Sequence, residues 1–143
     1  MSRSRRTLLK VAAGVGATVV AGYTGSVAAS RSGRVVVKHV SGRRVDGDGS
    51  RLVDVYHAEL NRDGTVDRRV HGDYRGRAEE GAVPTDLHRD LYDRFVSVRY
   101  YLGHDCPGCS TPAVSRREFN GVALGESAHL LYYGDRATVV PGP

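Results

Sequence analysis

Asn61-Arg62-Asp63-Gly64 separates two runs in which apolar residues recur mostly at every second position, and it commits the middle of the chain to a hairpin. Glycine at the last of these positions takes the positive φ that a tight connection requires. Before the turn, Leu52, Tyr56, Ala58 and Leu60 lie mostly two apart, with Val53 and Val55 opposite them. That pattern predicts a strand buried at least in part on both faces. After it, Thr65 to Tyr74 completes the hairpin, with Val66 and Val70 apolar and arginines between.

Turn signals divide the rest in the same way. Arg34 to Val40 is rich in β-branched residues and stops at Ser41-Gly42, which reads as a strand. Asp46-Gly47-Asp48-Gly49-Ser50 is a turn. It opens with the acidic spacing of a calcium loop. Arg51 and His57 occupy the sixth and twelfth places, where such a loop needs Gly and Glu, so a plain polar turn is the reading. Residues 76–83 form a charged linker in which Glu79 and Glu80 are adjacent and point apart.

Thr85 then stands as a helix cap, with His88 where a glutamate would complete a capping box. Leu87, Leu91, Tyr92 and Phe95 form one face of a helix over 86–95. Val96 to Leu102 reads as a strand. Thr111-Pro112 resembles a helix start, and Asn120-Gly121 keeps that helix short. Ala128 to Tyr133, Gly134-Asp135 and Ala137 to Val140 make a second hairpin. In each pair, Tyr100-Tyr101 and Tyr132-Tyr133, one ring should enter the core and the other lie outside. Strands, then a helix, then strands give an α+β class: a small antiparallel sheet of hairpins with one main helix. No repeat or low-complexity tract is present.

The first 29 residues follow another plan. Ser4-Arg5-Arg6-Thr7-Leu8-Leu9-Lys10 opens a cationic segment, Val11 to Gly22 is mildly apolar, and Ser26-Val27-Ala28-Ala29 supplies small residues. Cationic start, short apolar middle and small-residue cleavage site are the three parts of a secretory signal. Gly14, Gly16 and Gly22 weaken any stable helix there, each by about 1 kcal/mol relative to Ala.

Arg5, Arg6, Leu8, Leu9 and Lys10 stand at the offsets of twin-arginine export signals, and the segment resembles that family, with Leu8 where Phe is common. The resemblance implies export of a folded protein to the cell envelope or beyond, with the twin-arginine translocase and a signal peptidase as partners. Cleavage is expected after Ala28 or Ala29, leaving 30–143 as one small exported domain. Retention of the segment as an anchor remains the alternative.

Charge follows the same boundary. The 143-residue chain carries 21 Lys and Arg against 16 Asp and Glu. Four of those cations, Arg3, Arg5, Arg6 and Lys10, belong to the leader, and no acid precedes Asp46. Beyond the leader 17 basic residues face 16 acidic ones, which is 21 less 4 against 16. The high isoelectric point therefore describes the leader, and nucleic acid is not an expected partner. A protein or cell-envelope partner fits an exported domain.

Cys106-Pro107-Gly108-Cys109 is the site that carries chemistry. Pro at the second place and Gly at the third specify a type II turn, whose ends lie within about 7 Å. Both cysteines of the chain are in it. One reading is a local disulfide formed outside the reducing cytoplasm. A second is a zinc or copper site, because His104 makes the set His-x-Cys-x-x-Cys, with a fourth ligand from His88, His129 or another chain. The turn resembles one knuckle of a zinc ribbon or rubredoxin, families that need two, and the chain has one. A third is dithiol redox chemistry. It fits poorly because Pro112 interrupts the helix that would lower the thiol pKa.

Ser115 and Ser127 lack the Gly-x-Ser-x-Gly setting of a hydrolase nucleophile, and no catalytic residue is assigned. The sequence thus points to an exported extracytoplasmic binding or structural domain with a Cys106–Cys109 disulfide. The alternative is a metal-binding protein using His104, Cys106 and Cys109.

Overall fold

The computed structural model describes residues 30–78 and 81–141. The twin-arginine segment and the Glu79-Glu80 pair lie outside the described residues.

The elements run β1 (Arg31–Asp46), β2 (Gly49–Leu60), β3 (Val66–Val70), a 3-10 turn (Gly72–Tyr74), α1 (Thr85–Arg94), β4 (Ser97–Asp105), β5 (Ala113–Val114), α2 (Arg116–Gly121), β6 (Ser127–Tyr133) and β7 (Arg136–Val140). One seven-stranded sheet has the order β3-β2-β1-β4-β5-β7-β6, and β6 also pairs with β1. Strands β1, β4, β5, β7 and β6 therefore close into a ring, with the β2–β3 hairpin added beside β1.

The long β1 makes closure possible. Arg31 to Arg34 pair with β6, Arg34 to Arg43 with β4, and Val37 to Asp46 with β2. Its register shifts between Val35 and Val37 against β4, and between Val40 and Ser41 against β2. Such irregularities bend a strand and increase its twist, which lets one strand follow a closing sheet. Ring closure also makes the sheet mixed rather than wholly antiparallel, because β5 meets β7 in parallel through Ala113 and Arg136.

The core lies on one face of the sheet. Val98, Tyr100, Leu102 and His104 point inward from β4, with Val35, Lys38 and Val40 from β1 and Val55, Tyr56 and Ala58 from β2. Helix α1 lays Leu87 and Leu91 on this face. Phe95, just after it, meets Gly42 so closely that a Cβ there would lie 2.5 Å from the ring. Helix α2 adds Phe119, whose ring centroid is 5.4 Å from that of Tyr100. Tyr101 is half-buried outside while Tyr100 is in the core, and Tyr133 is exposed while Tyr132 is half-buried, as the pairing of aromatics predicted.

Several boundaries differ from expectation. Pro84 occupies the α1 cap position and Thr85 is the first helical residue, while Tyr92 is exposed and packs on His88. Strand β3 ends at Val70, and a 3-10 turn then carries Tyr74 into the core. The helix expected from Thr111-Pro112 begins at Arg116 instead. Ser115 caps it, accepting from the Glu118 amide while the Glu118 carboxylate returns to the Ser115 backbone.

Candidate thiol and metal site

The inward face of β4 ends at His104, and the chain then turns through the two cysteines. Gly108 has φ +72°, and the Cys109 amide donates to the Cys106 carbonyl at 3.2 Å, as the Pro-Gly pair predicts. This closure sets the Cys106 and Cys109 Cα atoms 5.5 Å apart, with the sulfurs at disulfide distance.

His104 is 8% exposed. Its Nε2 lies 3.1 Å from the Ala128 carbonyl oxygen. A carbonyl only accepts, so Nε2 carries the proton in the neutral ring. Nδ1 is then the nitrogen with the free lone pair, and it lies 3.8 Å from Cys106 Sγ. Burial lowers the His104 pKa, the Ala128 carbonyl opposes that shift, and His129 adds to it. The ring is therefore neutral near pH 7, the form that ligates metals.

The sheet holds the ring in place. Gly33 of β1 passes beside it, where a Cβ would stand 3.3 Å from His104 Cγ. The Tyr132 ring centroid is 6.5 Å away, and the Tyr132 hydroxyl donates to the Ser110 carbonyl at 3.3 Å, tying the end of the cysteine loop to β6.

Together, His104, Cys106 and Cys109 bring one ligand atom each within 4.8 Å of one another. Two thiolates and an imidazole suit zinc or a soft copper ion, and the carbonyl on Nε2–H is the outer partner that fixes a metal-binding histidine. While the sulfurs are joined they offer no thiolates, so the set ligates only when reduced. The structure brings these three predicted residues together and leaves His88 and His129 outside the group. His88 instead exchanges a 2.6 Å hydrogen bond with the Tyr100 hydroxyl through Nδ1.

Two features here lay beyond sequence patterning. The outer partner of His104 is a backbone carbonyl, which no side chain advertises. Lys38 is 4% exposed and donates to the Gly81 and Val122 carbonyls, 2.7 Å each, with Nζ 4.3 Å from the Phe119 centroid. In the sequence it reads as an ordinary strand residue.

No known protein family matches this chain, and no curated protein or solved structure matches it.

Proposed function

We propose that the chain is exported by the twin-arginine route and works outside the cytoplasm as a small binding or structural domain, with Cys106 and Cys109 joined as a disulfide. One observation carries this reading: both cysteines of the chain occupy a single turn and stand at disulfide distance. An oxidising compartment favours the bond. The closed loop is short, so its stabilisation is about 2 kcal/mol, enough to fix the end of β4 rather than to hold the domain together.

The Nδ1 lone pair of His104, directed at Cys106 Sγ, supports a second reading: in the reduced state His104, Cys106 and Cys109 bind zinc or copper. Intact mass after alkylation, with and without reductant, separates the two. Protein from the envelope or culture fluid that takes up label only after reduction, and carries no metal by elemental analysis, supports the disulfide. Label uptake without reduction overturns it, and stoichiometric zinc or copper favours the metal form.

A further inference from the structure

The outer face of the sheet carries a second group of polar side chains, set by register. Across β2, β1 and β4, Asp54, Ser41 and Arg99 form one row, and Leu52, Arg43 and Ser97 the next. Ser41, Arg43, Leu52, Ser97, Arg99 and Tyr101 line a groove of about 270 Å³. Five of the six carry hydrogen-bond donors, two are guanidinium groups, and none is a carboxylate. Ser41 is 6% exposed, and its hydroxyl has no hydrogen-bond partner among the described residues.

The nearby acids already have partners, and for one of them the partner is an arginine of the groove itself. Asp54 Oδ1 lies 2.9 Å from His39 Nε2, and Asp135 accepts from Arg99 Nη1 at 3.1 Å. Arg43 Nη1 donates to the Ser50 hydroxyl at 3.2 Å. A guanidinium has five N–H donors, so each arginine keeps others for a ligand. Planar guanidinium matches a carboxylate through paired bonds. Leu52, 60% exposed, gives one wall an apolar edge. The volume is just below the roughly 300–1,000 Å³ of pockets for drug-sized molecules, which limits the occupant to a small one.

We propose that this groove binds a small organic carboxylate, its charged end between Arg43 and Arg99 with the Ser41 hydroxyl donating to it, and its apolar part against Leu52. The cysteine turn contributes nothing to the groove, so reduction of Cys106 and Cys109 leaves binding unchanged.

The test is an amide-resolved NMR titration of the full-length protein with butyrate, and separately with inorganic phosphate, at matched chloride ionic strength. Butyrate should give saturable shifts at Ser41, Arg43, Ser97, Arg99 and Tyr101. Arg43→Gln and Arg99→Gln should each weaken it about tenfold, with the remaining spectrum unchanged as the control for folding. Binding by phosphate alone, shifts spread equally over Arg68, Arg69 and Arg75, or undiminished binding in both variants would each overturn the proposal.

Discussion

His104 turns the unprotonated nitrogen of its ring toward Cys106, with Nδ1 3.8 Å from Sγ, while the Ala128 carbonyl of β6 holds the other nitrogen. In the metal reading, this geometry orients the ligand before any metal arrives. β4 runs to Asp105 rather than stopping at Leu102 because His104 and Asp105 pair with Val35 and Arg34 of β1, and its last inward position faces the turn.

In the metal reading, reduction of the Cys106–Cys109 bond is the condition for binding. Reduced protein in zinc at about a hundred times Kd should gain about 2.7 kcal/mol, a melting-temperature rise on the order of 10 °C. The oxidised protein should show no rise, and Cys106→Ser should lose it after reduction. Differential scanning calorimetry with and without a phosphine reductant measures this. An equal rise in the oxidised protein would show that zinc binds elsewhere.

Lys38 predicts an alkaline gain in stability. Burial lowers its pKa from 10.5 to about 8, with Glu126 opposing the shift. Between those values the unfolded chain binds the proton that the folded one has released, so stability rises with pH from about 8. The two carbonyl bonds survive, because a neutral amine keeps two N–H donors for Gly81 and Val122. Burial raises the Tyr100 pKa above 10, so the unfolded state gains by ionising there and the rise ends near pH 10. Urea midpoints should climb from pH 8 to pH 10. Lys38→Met should remove the climb, and its stability deficit against wild type should be larger at pH 9.5 than at pH 7. A parallel climb in the variant would assign it to another group.

Gly42 is where the sheet admits the end of α1. Its Cβ would stand 2.5 Å from Phe95, whose ring also lies 5.2 Å from the Arg44 guanidinium carbon. Gly42→Ala should cost about 1–3 kcal/mol, because the ring is confined and cannot retreat without disturbing its neighbours. Pairing it with Phe95→Leu should recover part of the loss, and chemical denaturation of the two single variants and the double variant gives the coupling. Additive losses would show that contact with Phe95 is not the cause.

The strands other than β5, the main helix and the hairpins were legible because each is specified locally, whereas β5, Ala113–Val114, lies where a helix was expected. The Gly64 and Gly134 turns and the period of Leu87 and Leu91 decide them without reference to the rest of the chain. The Ser115-to-Glu118 spacing of the second helix was equally local, and Pro112 drew the start away from it. Ring closure was not legible, because pairing Arg31 to Arg34 with β6 joins residues almost a hundred positions apart and depends on where β1 bends. The thiol site was half legible. The turn and His104 stand together in the sequence, whereas the carbonyl that sets the histidine tautomer comes from β6. The groove on the outer face needed the register of three strands before Ser41, Arg43 and Arg99 became neighbours.

Export supplies the last prediction. The twin-arginine resemblance rests on Arg5, Arg6, Leu8, Leu9 and Lys10, so Arg5→Lys with Arg6→Lys should hold the protein in the cytoplasm with the leader uncleaved. Wild-type protein recovered outside should begin at Ala29 or Ser30. That route carries folded cargo, so Gly42→Ala, with an intact signal, should also be exported less well, in proportion to its unfolded fraction. The double lysine variant and the fold-weakened variant thus fail for different reasons. Restoring stability with Phe95→Leu should rescue only the second. Fractionation followed by N-terminal sequencing distinguishes them, and undiminished export of the double lysine variant would remove the twin-arginine reading while leaving the disulfide and the groove to be tested on their own.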